Sequence, residues 1–418
     1  MAQAPVDPKL IRSRSALADA EFRHEFRTFL KASHPGRPPN DRAAAVQWQR
    51  DFNALLVDSG WGSASWPIAY GGMDLPFEKQ VIYTEEFARA NVPGPLGTGV
   101  GIVGPTIVKH GTDDQKNRWL RPMLRHEKVW AQGFSEPEAG SDLPSLRTTA
   151  VREGETYVVT GQKVWSSSAD IADVIFALVR TGERDERQRA ITYLVIDAHA
   201  PGVDVRPIRD MTGGAHFCEI FFDGVLVPVA DRIGEENHGW DITRTSLGHE
   251  RAAGAYQQAK RYRRILDELI ALAQQRGRTA EPAIRQELAR LVTWQRILEY
   301  SGMRTIHGIV EHGEPGPQSS VSRLSTSLFE RHIHVVAVDL LGAHGLLDRR
   351  DEHAVERGRW TWGFLRTRAS TIGAGTAEIQ RNTAGERVLG LPYEPDVSSR
   401  RAAALSTILF QSATRLMS

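Results

Sequence analysis

Hydrophobic residues recur at helical spacing in the first third of the chain. Phe22, Phe26, Phe29 and Leu30 fall on one helical face, and Trp48, Phe52, Leu55 and Leu56 repeat the pattern. The stretch from Ser15 to Glu127 therefore reads as mostly helical. A loop of turn-forming residues, Gly60-Trp61 to Pro67 and then Tyr70-Gly71-Gly72, interrupts it before another helix runs through Val81 to Arg89. Near Trp130 the period changes. Tyr157-Val158-Val159, Val174 to Val179 and Ile191 to Ile196 are short apolar or β-branched runs between turn signals. His216 to Phe222 is a fourth, ending at Asp223-Gly224, a favoured hairpin pair. After Gly239 the helical period returns. Ile265, Leu266, Leu269 and Ile270 form one stripe and Ile284, Leu288, Leu291 and Leu298 another, with Gly313 to Gln318 linking two helices. The pattern predicts a helical segment over 1–129, a β segment over 130–235, a helical segment over 236–395 and a polar tail over 396–418. By itself it supports a mixed α and β protein and no more.

Composition adds mainly exclusions. The 418 residues suffice for one large or two to three small domains, and 41% hydrophobic with 25% charged content is ordinary for a globular protein. A net charge of +1 gives no electrostatic reason to expect nucleic acid. The single cysteine, Cys218, excludes an intrachain disulfide and a cysteine-rich metal site. His332 and His334 are spaced poorly for one helix face, so no metal is expected. No run approaches the roughly 18 apolar residues of a membrane span, and the N-terminus lacks a signal-peptide pattern. The expectation is a soluble, cytoplasmic protein that neither enters a membrane nor binds nucleic acid.

Three segments carry chemistry. Gln132-Gly133-Phe134 leads into Ser135-Glu136-Pro137-Glu138-Ala139-Gly140-Ser141-Asp142. Gly161-Gln162-Lys163-Val164-Trp165-Ser166-Ser167 follows. The third is Ile372-Gly373-Ala374-Gly375-Thr376-Ala377-Glu378-Ile379-Gln380-Arg381-Asn382, continuing as Ala384 to Leu391. On these residues the chain resembles the acyl-CoA dehydrogenase family, over nearly its whole length up to about Leu391. The resemblance implies an α+β fold with an N-terminal helical domain, a middle β-barrel-like domain and a C-terminal four-helix bundle. It also implies FAD as cofactor. By position, Phe134, Ser135, Trp165 and Ser167 would border the flavin, and Gly375, Thr376 and Glu378 would run along the dinucleotide, where a helix N-terminus suits phosphate or ribose. Ser141 falls where the family contacts the acyl-thioester ligand. Glu136 reads as a structural carboxylate that caps or pairs.

The commonest form of the family has a Glu immediately before the Gly-Thr pair, and that Glu abstracts the substrate α-proton. Here the position is Ala374, and a methyl group cannot be a base. Other members carry the base in a Glu-Arg pair on a different helix, and Leu247-Gly248-His249-Glu250-Arg251-Ala252 aligns with that alternative. Glu250 is the resulting candidate base, with Arg251 and the Ala374 backbone on the substrate side. An acyl-thioester α-proton is too weakly acidic for a free carboxylate in water, so hydrogen bonds to the thioester oxygen must stabilise the enolate, and burial must strengthen the base. The β-hydrogen would leave as hydride to flavin N5, giving a trans-2-enoyl thioester, and an electron-transfer flavoprotein would reoxidise the flavin. His249 points about 100 degrees from Glu250 on a helix and reads as environment.

The resemblance weakens at three places. The partner-contacting helix of the family carries Arg and then Phe-Gly; here Arg276 and Arg278 occur without the Phe-Gly. Asp339 stands where the family usually has Gln, and Gly248 where many members have Asp. These departures admit a homodimer or homotetramer, or a heterotetramer with a paralogue, and either a CoA or an acyl-carrier thioester. A flavin oxidase or monooxygenase of the same fold, and a non-catalytic subunit, are the competing readings. Gly94, Gly97, Gly99, Gly101 and Gly104 lie in a segment that lines the acyl pocket in the family; a wide pocket and plain loop flexibility both account for them.

Overall fold

The computed structural model describes residues 6–252 and 254–392. The 396–418 tail lies outside the described residues. Helices α1 (Pro8–Ala16), α2 (Asp19–Ala32), α3 (Arg42–Asp58), α4 (Phe77–Ala90), α5 (Gly104–His110) and α6 (Asp113–Leu124) come first. Strands follow: β1 (Trp130–Gly133), β2 (Thr149–Glu153), β3 (Thr156–Ser167), β4 (Val174–Arg180), β5 (Ile191–Asp197), β6 (Val203–Ile208), β7 (Phe217–Pro228) and β8 (Arg232–Ile233). Helices α7 (Gly239–Ala252), α8 (Ala255–Gln275), α9 (Pro282–His312), α10 (Gln318–Leu341), α11 (Arg359–Arg366) and α12 (Ala377–Arg387) complete the chain.

Local signals account for these elements. The apolar stripe of α2 buries Phe22, Phe26 and Leu30, and Trp61 from the loop after α3 packs its ring 5.5 Å from Phe22 and 4.6 Å from Phe26. In α3, Phe52 and Leu56 are buried while Leu55 turns to solvent. Thr112 opens α6 with a reciprocal capping box: its hydroxyl accepts from the Gln115 N–H, and the Gln115 side chain accepts from the Thr112 N–H.

Two glycines of the glycine-rich segment are required by close packing. Gly99–Val103 forms a π turn running into α5. A Cβ on Gly104 would lie 2.0 Å from the Trp66 ring, and one on Gly97 (φ +65) would lie 2.4 Å from the Trp130 carbonyl oxygen. At these two positions only glycine leaves room for Trp66 and the Trp130 backbone, whereas a Cβ on Gly94 would meet nothing within 4 Å.

The strands form one sheet in the order β6-β7-β3-β2-β4-β5-β8, with β1 added parallel to β4. Along β4, Phe176 and Leu178 enter one apolar cluster while Ile175, Ala177 and Val179 enter another, so the strand is buried on both faces. Asp223-Gly224 is not a turn, as its sequence suggested. β7 continues straight through it, because Val225 pairs with Val159 and Phe222 with Gly161, leaving two residues opposite Thr160. Gly224 (φ +62) supplies the left-handed conformation this bulge needs. The same residue pair serves hairpins and bulges alike.

In the C-terminal part, α8 contributes Leu266, Leu269 and Leu272, α9 contributes Leu288, Leu291 and Leu298, α10 contributes Phe329, Ile333 and Leu340, and α11 adds Trp360. These four helices share one apolar core. A separate cluster joins all three parts of the chain: Trp66, Ile107, Leu120 and Leu124 from the N-terminal part, Trp130, Phe176 and Tyr193 from the sheet, and Ile242 from α7. A buried hydroxyl chain crosses the same junction, with Ser246 bonded to Thr106 at 2.9 Å and to Tyr193 at 3.1 Å.

Candidate active site

Glu250 sits in the last turn of α7 and borders a cavity of about 260 Å³. Arg251, Gln258 at the start of α8, Arg323 in the second turn of α10 and Ala374 in the loop before α12 share its wall. Two positions 124 residues apart in sequence, the candidate base and the residue that stands where the commoner base would be, therefore face one space. Glu250 is open only in part, and burial pushes its carboxyl above the ordinary carboxylate range. The Gln132 amide, which donates to it at 3.5 Å, and the guanidiniums of Arg323 and Arg251 pull the other way. Burial lowers the Arg251 guanidinium, against the attraction of Glu250. The Nε groups of Arg251 and Arg323 are both buried without a hydrogen-bond partner. Burial also brings the neighbouring His249 down to about 4, which keeps its ring neutral at neutral pH.

A second group of predicted residues lies at the ends of β1 and β3. Trp165 has φ +63 and leaves 60% of its surface exposed, with the Phe217 ring edge-on at 6.1 Å. The Arg366 guanidinium stands 5.3 Å from the Phe217 ring centre, which brings α11 to the same place. Ser135 and Ser167 are half-buried beside it in sequence and register, and Ser166 has a buried hydroxyl with no partner. Phe134 differs: its ring is buried against Phe176 and Tyr193 and presents no face to a ligand.

The loop carrying Ser135 is anchored by a pair that sequence reading only half identified. Glu136 is buried and accepts from the Arg147 and Thr148 N–H groups at 2.5 and 2.9 Å. Its partner is Lys163, wholly buried, whose Nζ donates to Glu136 at 2.7 Å and to the Phe134 carbonyl at 3.2 Å. Burial brings the Lys163 ammonium down to about 8, opposed by Glu136. Burial pushes Glu136 upward too, but Lys163 and the N–H groups outweigh it and leave the carboxyl below its usual range. Nothing in the sequence marked Lys163, because its importance comes from what it meets across the strand.

The third group runs along the start of α12. Ala374 has φ +56 and Gly375 φ +81, and Thr376 caps the helix by accepting from the Ile379 N–H at 3.2 Å. Glu378 is exposed and pairs with Arg381 at 3.3 Å. Ser141 is exposed between β1 and β2, beside Asp142, which pairs with Arg187 at 2.5 Å. Neither Glu378 nor Ser141 lines the cavity of Glu250. The residues fit a flavin: a large aromatic face held out in solvent by a left-handed backbone, hydroxyls beside it, and a glycine loop opening onto a helix N-terminus.

Three family models cover the chain in turn. The acyl-CoA dehydrogenase N-terminal domain matches residues 18–127, the middle domain 131–225 and the C-terminal domain 237–389. The chain is 35% identical over 382 residues to acyl-CoA dehydrogenase IpdE1 of Mycobacterium tuberculosis, covering 91% of this chain and 96% of that one. Among solved structures it resembles the ChsE4-ChsE5 complex from Mycobacterium tuberculosis, with TM-score 0.76 and 31% identity over 90% of this chain and 98% of that one. It also resembles the Tcur3481-Tcur3483 steroid ACAD, with TM-score 0.77 and 27% identity over 90% and 98%. No helix among the described residues is long and apolar enough to cross a membrane.

Proposed function

We propose that this chain, which belongs to the acyl-CoA dehydrogenase family, is a dehydrogenase in which Glu250 removes the α-proton of an acyl thioester and a trans-2-enoyl thioester is formed. The family is FAD-dependent, and a bound FAD would supply the acceptor for the β-hydrogen and its electron pair. The observation that carries the reading is the shared cavity: Glu250 and Ala374 border it together, and burial raises the Glu250 carboxyl. A raised carboxyl is a stronger base at neutral pH. The Ala374 N–H serves as donor to the thioester oxygen, so charge that develops there meets a fixed dipole. Ser135, Trp165 and Ser167 would hold the flavin ring, and Gly375, Thr376 and Glu378 would border the rest of the cofactor. Ser141 and Arg251 contact the thioester ligand.

The acyl group is bulky, in the class of polycyclic acids. Support comes from the Tcur3481-Tcur3483 protein, which is a steroid ACAD. The assembly is heteromeric, with an electron-transfer flavoprotein as acceptor. Two observations support a mixed assembly. Each of the two similar structures pairs two different chains. Arg278, one of the two arginines that could meet a partner's flavin, is committed within its own chain, pairing with Glu281 at 2.5 Å and donating to the Leu340 carbonyl at 3.0 Å, while Arg276 is exposed.

Anaerobic absorbance of the purified flavoprotein, titrated with a panel of acyl-CoA thioesters, tests the reaction. Glu250→Gln is expected to keep its flavin and to bleach about 10²- to 10⁴-fold more slowly. A near-wild-type bleaching rate in that variant would remove Glu250 from the mechanism.

A further inference from the structure

Arg323 borders the cavity from α10, but two of its hydrogen bonds go elsewhere. Its Nη2 donates to the Ser370 carbonyl and to the Gly373 carbonyl, both at 3.0 Å. The second of these is the informative one. The Gly373 carbonyl and the Ala374 N–H belong to a single planar peptide unit, and in a trans peptide they point in opposite directions. A cation that fixes the carbonyl therefore fixes the opposite aim of the N–H. The next peptide is held as well, because Gln380 Nε2 donates to the Ala374 carbonyl at 2.8 Å. The two amides before it, Ile372 and Gly373, both turn back onto the Ala369 carbonyl at 3.0 Å. Ala374 thus stands at φ +56, a strained value for a residue with a Cβ, clamped from both sides.

We infer that Arg323 is the positioning residue for the enolate-stabilising donor: by gripping the Gly373 carbonyl it aims the Ala374 N–H at the thioester oxygen. The inference rests on the reading of that N–H as the donor. A charged donor on the carbonyl also polarises the amide and strengthens its N–H, since hydrogen bonds in series reinforce one another. With the base on α7, the Gly373-Ala374 peptide keeps the donor task alone, and Arg323 is its brace. The strain at Ala374 is what such a brace would hold in place, because a free Gly-Ala-Gly segment would relax.

The test reads the thioester carbonyl directly. A [1-¹³C] acyl-CoA, the one that bleaches the wild-type flavin fastest, is bound to Glu250→Gln protein, and its carbonyl stretch is recorded by difference infrared spectroscopy. With Arg323 present, the band is expected below its position in free acyl-CoA. In Arg323→Met on the same background, at least half of that displacement should vanish, while Arg323→Lys should keep most of it. With Glu250 intact, Arg323→Met should lose about 10²-fold in kcat on the high-pH plateau, where Glu250 is ionised in both proteins, with KM changed less than 3-fold. Should the Met variant fail to fold, Arg323→Gln, which can reach only one of the two carbonyls, reads the same band. An undisplaced band with Arg323 present, or a band unmoved by its replacement, overturns the inference. Turnover by Glu250→Gln would instead strike the base assignment, and the band would still report on Arg323.

Discussion

Among the described residues Lys163 is the only side-chain cation at hydrogen-bond distance from Glu136, and Lys163→Met removes it. Lys163 is fully buried and Glu136 7% exposed, so water cannot take the ammonium's place. Breaking a buried ion pair from one side costs roughly 3–5 kcal/mol, because a charge is left behind without compensation. Glu136 keeps two backbone donors, Arg147 and Thr148, which puts the expected loss near the low end, about 3 kcal/mol. Adding Glu136→Gln removes the stranded charge, so the double variant should recover part of the loss, with an interaction energy of at least about 1.5 kcal/mol across the four-protein cycle. The assay is urea unfolding of flavin-free protein, followed by fluorescence and circular dichroism together. The loop bearing Ser135 rests on this pair through the Phe134 carbonyl, so flavin affinity should fall in parallel. A Lys163→Met protein within about 1 kcal/mol of wild type, or a cycle with no interaction energy, would refute the view that this pair anchors the loop.

Two further outcomes are expected. Glu250 is easier to protonate in the fold than in the unfolded chain, so its charge costs stability above its folded pKa, and that cost fades as pH falls toward the ordinary carboxylate value of roughly 4.3. Glu250→Gln should therefore melt higher than wild type at pH 8, with the gap closing on acidification; a gap that is absent or grows in acid contradicts the burial argument. Gly104→Ala drives a methyl into the Trp66 ring and should cost about 3 kcal/mol in thermal or urea unfolding, whereas an unchanged midpoint would mean that Trp66 is free to move.

The sequence made the elements legible because their apolar periods are strong: the stripes of α2 and α8 and the doubly buried runs of β4 and β5 all stand where periodicity set them. It misled where one local signal serves two geometries, as at Asp223-Gly224, or where a glycine is dictated by a distant ring, as at Gly104. Glu250 became a candidate only through a motif read together with the methyl at Ala374. Arg323 and Lys163 were invisible. Each acts on a backbone carbonyl of a segment separated from it in sequence, and a single chain read in order carries no trace of such a meeting. Phe134 was found in the right segment, but its ring belongs to the core.

The apolar cluster that joins the three parts of the chain also sets an order of events during synthesis. Trp66, Ile107, Leu120 and Leu124 leave the ribosome well before Phe176, Tyr193 and Ile242, which are to cover them. At roughly 5–20 residues per second, the N-terminal helices wait several seconds with an uncovered apolar face. A fragment ending near Glu127 would carry that face permanently, so dividing this protein at the boundary between its first helices and its sheet yields a sticky piece and not a free-standing module.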